Sequence, residues 1–195
     1  DGLIFYRTSS ISPRAASLPM RQHWLEVRNL AQRLAQVIDI EQPDLIHAHS
    51  PALIGLAALQ VGRRVGLPVV YECRAFWEDA AVNLGTGRPW GPRYRLTRAL
   101  ETYVFRKADT VTCICEGLRR DIVARGVSSA KVTIIPNAVD AERFAYSAPR
   151  DESLAEKLGL SGSVVLGFIG SFYEYEGLDL VIRSMPKIVA AHPNA

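Results

Sequence analysis

The spacing of apolar residues along the chain alternates between a helical and an extended pattern. Between Trp24 and Ile38 they return every three or four positions, which predicts an amphipathic helix that Pro43 ends. Residues 45–49 then form a short apolar run with the length of a strand. Residues 52–64 return to helical spacing, with Gly66 placed to end the helix. Helices and strands therefore alternate from the first part of the chain onward.

The same alternation continues to residue 135. It predicts further strands over residues 69–73, 110–114 and 132–135 and further helices over 93–107 and 117–124, with a long loop over 74–92. Strands separated by helices favour parallel pairing, because each crossover returns the chain to the same end of the sheet. We therefore predict an α/β fold whose parallel sheet is covered by helices on both faces.

After Pro136 the alternation stops, and residues 137–150 have the aperiodic composition of a linker. A short helix near 154–158, a strand over 164–169, a glycine turn and a helix from about 178 follow. We predict two domains: residues 1–147, a Rossmann-like domain ending in a hinge, and residues 148–195, the start of a second Rossmann-like domain. The chain opens on Asp1 without an initiator Met, so we expect a piece of a larger protein, incomplete at both ends.

Composition excludes several classes of protein. With 195 residues, 48% of them hydrophobic, the chain has enough apolar surface for a core, and it has no apolar run long enough to cross a bilayer. A net charge of +3 is too small to indicate a nucleic-acid partner. Three cysteines cannot form a disulfide framework, so we expect a reducing, cytoplasmic setting.

The candidate ligand-binding residues follow the predicted strands. Open parallel sheets bind ligands beyond the carboxyl ends of their strands, which places His49, Glu72 and Arg74 on the rim of the first domain. Gly170 lies at the corresponding place in the second domain, where a glycine turn before a helix lets backbone amides approach a phosphate. The sequence contains neither a P-loop nor a complete G-x-G-x-x-G motif.

Two pairs of residues suggest a metal site. His47 and His49 share one face of a strand, as do Cys113 and Cys115, and four such ligands hold zinc where strand ends converge. In the alternative interpretation, the cysteines belong to the core and one histidine lines a cleft. We favour that alternative, since isolated H-x-H and C-x-C pairs are common, and we predict no metal site.

The segment from Arg88 to Lys107 is rich in basic residues and aromatic rings, a combination that anionic membrane surfaces attract. The alternative, which we favour, is an exposed basic face opposite an apolar stripe that packs on the sheet. The residues of that stripe are Leu96, Leu100, Tyr103 and Val104.

Five segments, in order, resemble glycosyltransferase family 4. They are residues 43–50 (PDLIHAHS), 68–72 (PVVYE), 108–112 (ADTVT) with 115–119 (CEGLR), 135–140 (IPNAVD) with Phe144, and 167–172 (GFIGSF) with 176–179 (EGLD). Residues 71–80 and 173–177 look closest to the exosortase-associated branch, which is linked to bacterial exopolysaccharide loci.

This resemblance implies a GT-B fold, in which two Rossmann-like domains face each other across a cleft. It also implies transfer of a sugar, with retention, from a nucleotide-diphosphate donor to a glycan or lipid-linked acceptor. Gly170 and Ser171 would contact the donor phosphates, whereas His49, Glu72, Arg74 and Asn137 would line the acceptor side of the cleft. The leaving diphosphate would be stabilised by amides, a helix end and basic side chains without an obligatory metal or other cofactor. For Glu72 and Asn137 the alternative is a hydrogen bond to nearby backbone alone.

Three departures from the family pattern bear on activity. Ser171 and Glu176 stand where family members commonly carry Arg and Lys, and Arg74 stands where they carry a cleft histidine. The glutamate pair that contacts the donor sugar would lie beyond Ala195, so the catalytic residues are unknown and we expect the piece alone to be inactive.

These observations leave three hypotheses. The first is a retaining glycosyltransferase of exopolysaccharide or glycolipid assembly, at the cytoplasmic face of the membrane. The second is a degenerate GT-B module that binds a sugar nucleotide or a partner enzyme without transfer. The third is a zinc-dependent hydrolase.

Overall fold

The structure is a computed structural model that describes residues 2–8, 19–144 and 149–194. The chain divides into two compact units, Asp1–Asn137 and Ala138–Ala195. The predicted domain boundary between Ser147 and Ala148 falls on residues outside the described ranges and stays a prediction.

Four parallel strands form the centre of the first unit. Its elements are α1 (Pro19–Glu41), β1 (Ile46–His49), α2 (Ala52–Val65), β2 (Val69–Cys73), α3 (Trp77–Asn83), α4 (Pro92–Lys107), β3 (Thr110–Cys113), α5 (Glu116–Ala124) and β4 (Val132–Ile134). The strands pair in the order β1-β2-β3-β4, all parallel. The predicted α/β fold with a parallel sheet is therefore confirmed.

Local sequence signals mark the end of α2 and the start of α4. Gly66 ends α2 in the left-handed conformation, with φ 78°, and its amide donates to the Gly62 carbonyl at 2.8 Å. This is the geometry that favours glycine after a helix. Pro92 occupies the first turn of α4, where its missing N–H has no helical partner to lose.

The prediction of a loop over residues 74–92 is wrong in part, because α3 lies within it. Glu78 and Asp79 stand in the first turn of α3, where negative charge is favourable beside the positive helix end. At seven residues, α3 is too short to show a helical period in a region rich in Gly, Pro and aromatic residues.

The two faces of the sheet differ in character. On one face the strands present buried apolar side chains, among them Ala48, Tyr71 and Val111. On the other face, β1 presents exposed His47 and His49. Connections between parallel strands cross over in a right-handed sense. Because the strands lie in the order of the sequence, every crossover also moves in the same direction across the sheet. The crossover helices α2, α4 and α5 therefore share one face, and helices on both faces would need a strand order that reverses. These three crossover helices therefore do not provide the predicted cover on both faces.

Close helix packing on the buried face depends on Gly55 in α2. A Cβ at this position would lie 2.5 Å from Cγ1 of Val104 in α4 and 2.7 Å from Cε2 of Tyr71 in β2. The missing side chain lets α2 approach both elements, in a core whose largest fully buried side chains include Phe105 and Ile122.

The described residues of the second unit form two helices, α6 (Glu152–Lys157) and α7 (Leu178–Ala191), and a 3₁₀ turn at Glu174–Glu176. The Asp151 side chain caps α6 by accepting from the Leu154 amide at 2.9 Å. The strand predicted over residues 164–169 is not formed among the described residues: the Val164 amide donates to the Asn194 carbonyl at 2.7 Å, but no described strand pairs with this segment. Large apolar side chains of this unit, including Ile169 and Ile182, are exposed.

Two smaller predictions need correction or comment. The strand β4 is shorter than predicted and only Val132 of its three residues is buried, so it is not a fully buried strand. Among the described residues, no helix combines the length and apolar character needed to cross a bilayer.

Candidate functional site

The site lies at the carboxyl edge of the sheet, where β1 and β2 end side by side. Parallel register pairs His49 with Glu72 across the two strands. The backbone continues the pairing beyond the strand, since the Ser50 amide donates to the Glu72 carbonyl at 2.8 Å and the Arg74 amide to Ser50 Oγ at 3.4 Å. Three of the predicted cleft residues are thus held together by main-chain geometry.

Glu72 is the centre of a charged cluster. Its Oε2 lies 3.1 Å from His47 Nε2 and 3.6 Å from His49 Nδ1, while its Oε1 lies 3.7 Å from Arg74 Nη1. The Glu72 side chain is 19% exposed, against 45% for His47 and 51% for His49. The carboxylate is therefore the shielded member of the cluster, and the basic groups face solvent.

Asn137, the last residue of the first unit, joins this cluster through Arg74. Arg74 Nη2 donates to Asn137 Oδ1 at 3.2 Å. All four predicted cleft residues are therefore brought together, and Asn137 bonds a side chain rather than nearby backbone alone. A guanidinium held by an amide on one side and a carboxylate on the other presents its remaining N–H groups to an anion or a hydroxyl.

His47 belongs to the cluster although it was considered only as a zinc ligand. The signal that identifies it is its spacing of two from His49, which puts both rings on one face of β1 with centroids 4.8 Å apart. The cysteines do not join the histidines. Cys113 is buried on the opposite face of the sheet, where its thiol donates to the Cys115 carbonyl at 3.6 Å. The four-ligand zinc hypothesis is wrong in this form.

A buried ion pair supports the segment that follows Arg74. Glu78 Oε1 lies 2.8 Å from Arg125 Nη2, and the Arg125 guanidinium lies 3.8 Å from the centroid of the Phe76 ring. Both charged side chains are almost completely buried. Sequence reasoning missed this pair because its partners lie on α3 and after α5 and follow no local motif.

A second buried acid lies beneath the site. The Tyr71 hydroxyl of β2 donates to Glu101 Oε1 of α4 at 2.6 Å. The pKa of Glu101 is raised to about 7, mainly by burial. Hydrogen bonds from the Tyr71 hydroxyl and the Ala52 amide lower this pKa and so oppose part of the effect of burial. Burial likewise raises the pKa of Tyr71. The Ala52 contact connects this acid to the start of α2, two residues beyond Ser50.

In the second unit, Gly170 and Ser171 lie in an exposed segment before the 3₁₀ turn and α7. A Cβ at Gly170 would lie 2.9 Å from Cζ at the tip of the Phe168 ring, so the ring packs over the glycine. Gly177, with φ 69°, leads into α7 directly after the exposed Glu176. Of these residues, Gly177 stands at the amino end of the 14-residue helix α7, and Gly170 and Ser171 precede it along the chain.

The basic segment from Arg88 to Lys107 is partly committed to the fold. Val104 is buried and Leu100 packs against the core, but Leu96 and Tyr103 are exposed, so only two of the four residues of the predicted apolar stripe pack on the core. An open, mostly apolar groove of about 680 Å³ lies beside this segment. It is lined by residues that include Leu53, Trp77, Pro92, Arg93, Leu96 and Leu100.

Comparison with known proteins gives a consistent result over most of the chain. The sequence profile of Glycosyltransferase Family 4 matches residues 4–143. A GDP-mannose-dependent alpha-mannosyltransferase of Mycobacterium tuberculosis (strain CDC 1551 / Oshkosh) is 26% identical over 171 residues, which are 87% of this chain and 42% of that protein. A D-inositol 3-phosphate glycosyltransferase of Nocardiopsis dassonvillei is 28% identical over 153 residues, 77% of this chain and 34% of that protein.

The chain thus spans less than half the length of these curated relatives. Among solved structures, UDP-N-acetylglucosamine 2-epimerase from Rickettsia bellii aligns with a TM-score of 0.46 at 14% identity, over 74% of this chain and 34% of that one. No conclusion follows from a similarity of that size.

Proposed function

Because the chain belongs to Glycosyltransferase Family 4, we propose that the protein transfers a sugar, with retention, from a nucleotide-diphosphate donor to a glycan or lipid-linked acceptor. The observation that carries this proposal is the cluster of His49, Glu72, Arg74 and Asn137 at the carboxyl edge of a family 4 domain. That edge is where open parallel sheets bind their ligands.

Each residue of the cluster has a part that its contacts suggest. Arg74, oriented by Asn137, supplies a fixed positive charge for a phosphate or a hydrogen bond to an acceptor hydroxyl. Because a guanidinium stays protonated, Arg74 binds and orients and does not act as a base. Glu72 and His49 offer acceptors for the hydroxyl groups of a sugar.

In the second unit, Gly170 and Ser171 contact the donor phosphates through backbone amides and the serine hydroxyl. The amino end of α7 adds favourable potential for an anion. We propose that these amides and basic side chains stabilise the leaving diphosphate, in a GT-B arrangement, without an obligatory metal. The family resemblance is what supports this part of the mechanism.

The acceptor we propose is lipid-linked, which fits a role in exopolysaccharide or glycolipid assembly at the cytoplasmic face of the membrane. The apolar groove supports this choice, because Leu53 follows β1 and Trp77 follows β2, beside the carboxyl edge that holds Arg74. Exposed Leu96 and the basic Arg93 on its wall suit an apolar chain with an anionic head.

A second candidate function is sugar-nucleotide binding without transfer. Ser171 and Glu176 favour it, since neither provides the positive charge that a diphosphate attracts and the Glu176 carboxylate, which is exposed, repels phosphate.

The test, carried out on the full-length protein, is a thermal-shift panel of nucleotide-diphosphate sugars followed by a transfer assay on a lipid-linked acceptor. At 100 times its dissociation constant, a donor stabilises the folded state by about 2.7 kcal/mol, which is a shift of several degrees. Arg74→Gln should lower kcat/KM about tenfold or more. Arg64→Gln is the matched control, an exposed arginine in the last turn of α2, away from the cluster.

A donor that shifts the melting temperature while no acceptor gives product would favour the binding function. Equal transfer rates for Arg74→Gln and the unaltered protein would contradict the role given to the cluster.

A further inference from the structure

Two imidazole rings and one carboxylate converge on the exposed face of the sheet. Nε2 of His47 and Nδ1 of His49 both lie near the same atom, Oε2 of Glu72, at 3.1 and 3.6 Å. One ligand atom from each of the three residues lies within 4.8 Å of both others. Both contacts are at ion-pair distance, so one carboxylate oxygen is shared by two imidazoles.

These separations are close to those of a metal site. In a tetrahedral zinc site with bonds of about 2.1 Å, neighbouring ligand atoms lie about 3.4 Å apart. The distances from Glu72 Oε2 to His47 Nε2 and His49 Nδ1, 3.1 and 3.6 Å, lie just below and just above that value. The remaining separation, between the two ring nitrogens, is adjusted by rotation of exposed imidazoles about their side-chain bonds.

The backbone fixes the three ligands in advance. His47 and His49 lie two residues apart on one strand, and His49 is the register partner of Glu72 on the next. Ligands on paired strands are held more tightly than ligands on loops. Arg74, which donates to Asn137, places its positive charge 3.7 Å from the other carboxylate oxygen, Oε1, and this attraction favours the orientation in which Oε2 faces the histidines.

We propose that His47, His49 and Glu72 form a binding site for a divalent transition metal ion of the zinc type. Two imidazoles and one carboxylate suit Zn²⁺ and its neighbours rather than Mg²⁺ or Ca²⁺, which prefer oxygen ligands. Three protein ligands leave at least one position open to water or to an oxygen of a bound molecule.

The site goes beyond the proposed sugar transfer, which needs no metal. An ion bound there occupies His49 and Glu72, the two groups proposed to meet the hydroxyls of the acceptor. On the acceptor role proposed above, metal and acceptor therefore compete for the same side chains. The positive charge of Arg74 beside the ion limits its affinity, which suits reversible occupation.

The experiment measures zinc binding to the protein directly by isothermal titration calorimetry, with Co²⁺ absorption as a reporter of the ligand set. We expect one equivalent of Zn²⁺ and visible Co²⁺ bands. Glu72→Gln and His47→Ala should each weaken binding at least tenfold. His47 is exposed on β1, so we expect His47→Ala to fold like the unaltered protein. Circular dichroism measures whether it does.

Two matched controls identify the site. His23→Gln alters the other histidine that lies beside a carboxylate, Glu26 at 3.1 Å, where no second histidine is placed to assist. Cys115→Ser removes the exposed thiol. Both should leave zinc affinity unchanged. The proposal is overturned if the unaltered protein does not bind Zn²⁺ saturably, if Glu72→Gln and His47→Ala bind as well as it does, or if a control variant abolishes binding. None of these readouts depends on sugar transfer, so they separate this proposal from the proposed function.

Discussion

The Glu78 carboxylate and the Arg125 guanidinium form an ion pair of 2.8 Å that is almost completely withdrawn from solvent. Among the described residues, both Glu78 carboxylate oxygens and the Arg125 Nε have no hydrogen-bond partner. The two side chains are therefore close enough for an ion pair but are not aligned for a hydrogen bond. Arg125 instead stacks over the Phe76 ring, at the start of α3. The pair therefore connects α3, which follows Arg74 in the sequence, to the end of α5.

Removing one partner of this pair should destabilise the fold strongly. Glu78→Gln leaves the Arg125 charge buried without a counter-charge, and such changes cost about 3–5 kcal/mol. Urea denaturation measures the loss. Glu116→Gln is the matched control, because the Glu116 side chain is exposed and its partner Arg119, at 3.4 Å, is only half-buried, so the pair should contribute less than about 1 kcal/mol. A similar loss in both variants would show that burial of the first pair has no special effect.

The buried Glu101 should make stability depend on pH. Its folded-state pKa, about 7, is above the ordinary value of 4.5, so the folded protein holds the proton more tightly than the unfolded chain does. This contribution is fully present below pH 4.5 and is lost as pH rises through 7. Its size is roughly 3 kcal/mol.

Glu101→Gln removes the titrating group, so its free energy of unfolding should fall less than that of the unaltered protein between pH 5 and pH 8. Denaturant titrations at several pH values give the difference, in which the other titrating groups cancel. Tyr71→Phe removes a hydrogen bond that lowers the Glu101 pKa and should move the fall to higher pH. Parallel pH profiles for all three proteins would contradict the assignment.

Much of the first unit could be predicted because its signals are local. Apolar runs identified β1 to β3, and Gly66 identified the end of α2. The rule that ligands bind at the carboxyl ends of parallel strands identified His49, Glu72 and Arg74, which the structure brings together.

The predictions that were wrong concern features set by contacts between residues far apart in the sequence. The helix α3 has no period of its own, and its buried Glu78 is paired with Arg125 far along the chain. The side of the sheet that helices cover follows from strand order, which no local pattern contains. The cysteine ligands failed because Cys113 faces the core, whereas Glu72, from the neighbouring strand, meets the histidines.

Close packing at Gly55 should not tolerate a side chain. Gly55→Ala places a methyl group against Val104 and Tyr71 and should cost about 1–3 kcal/mol, measured by thermal or urea denaturation. Val104→Ala in the same chain makes room and should recover part of the loss. Gly117→Ala is the control: its Cβ would meet Cys115 Sγ at an ordinary 3.7 Å, and its position in α5 favours alanine. Equal destabilisation at both glycines would contradict the packing argument.

Charge reversal on α4 should weaken binding to an anionic membrane. Arg93 and Arg98 are both on α4: Arg93 donates to the Thr86 carbonyl at 3.2 Å at the surface, and Arg98 lies 5.6 Å from the ring of Trp90. Arg106 makes a part-buried hydrogen bond to the Arg125 carbonyl and is left intact. Each basic residue near a membrane surface contributes about 1 kcal/mol, so Arg93→Glu with Arg98→Glu should weaken binding to phosphatidylglycerol-containing vesicles at least 30-fold, roughly 2 kcal/mol. Arg63→Glu with Arg64→Glu changes net charge equally at the end of α2. Vesicle sedimentation at low ionic strength distinguishes the two pairs: a loss confined to the α4 variants supports a membrane-facing helix, and an equal loss in both would mean that net charge alone drives binding.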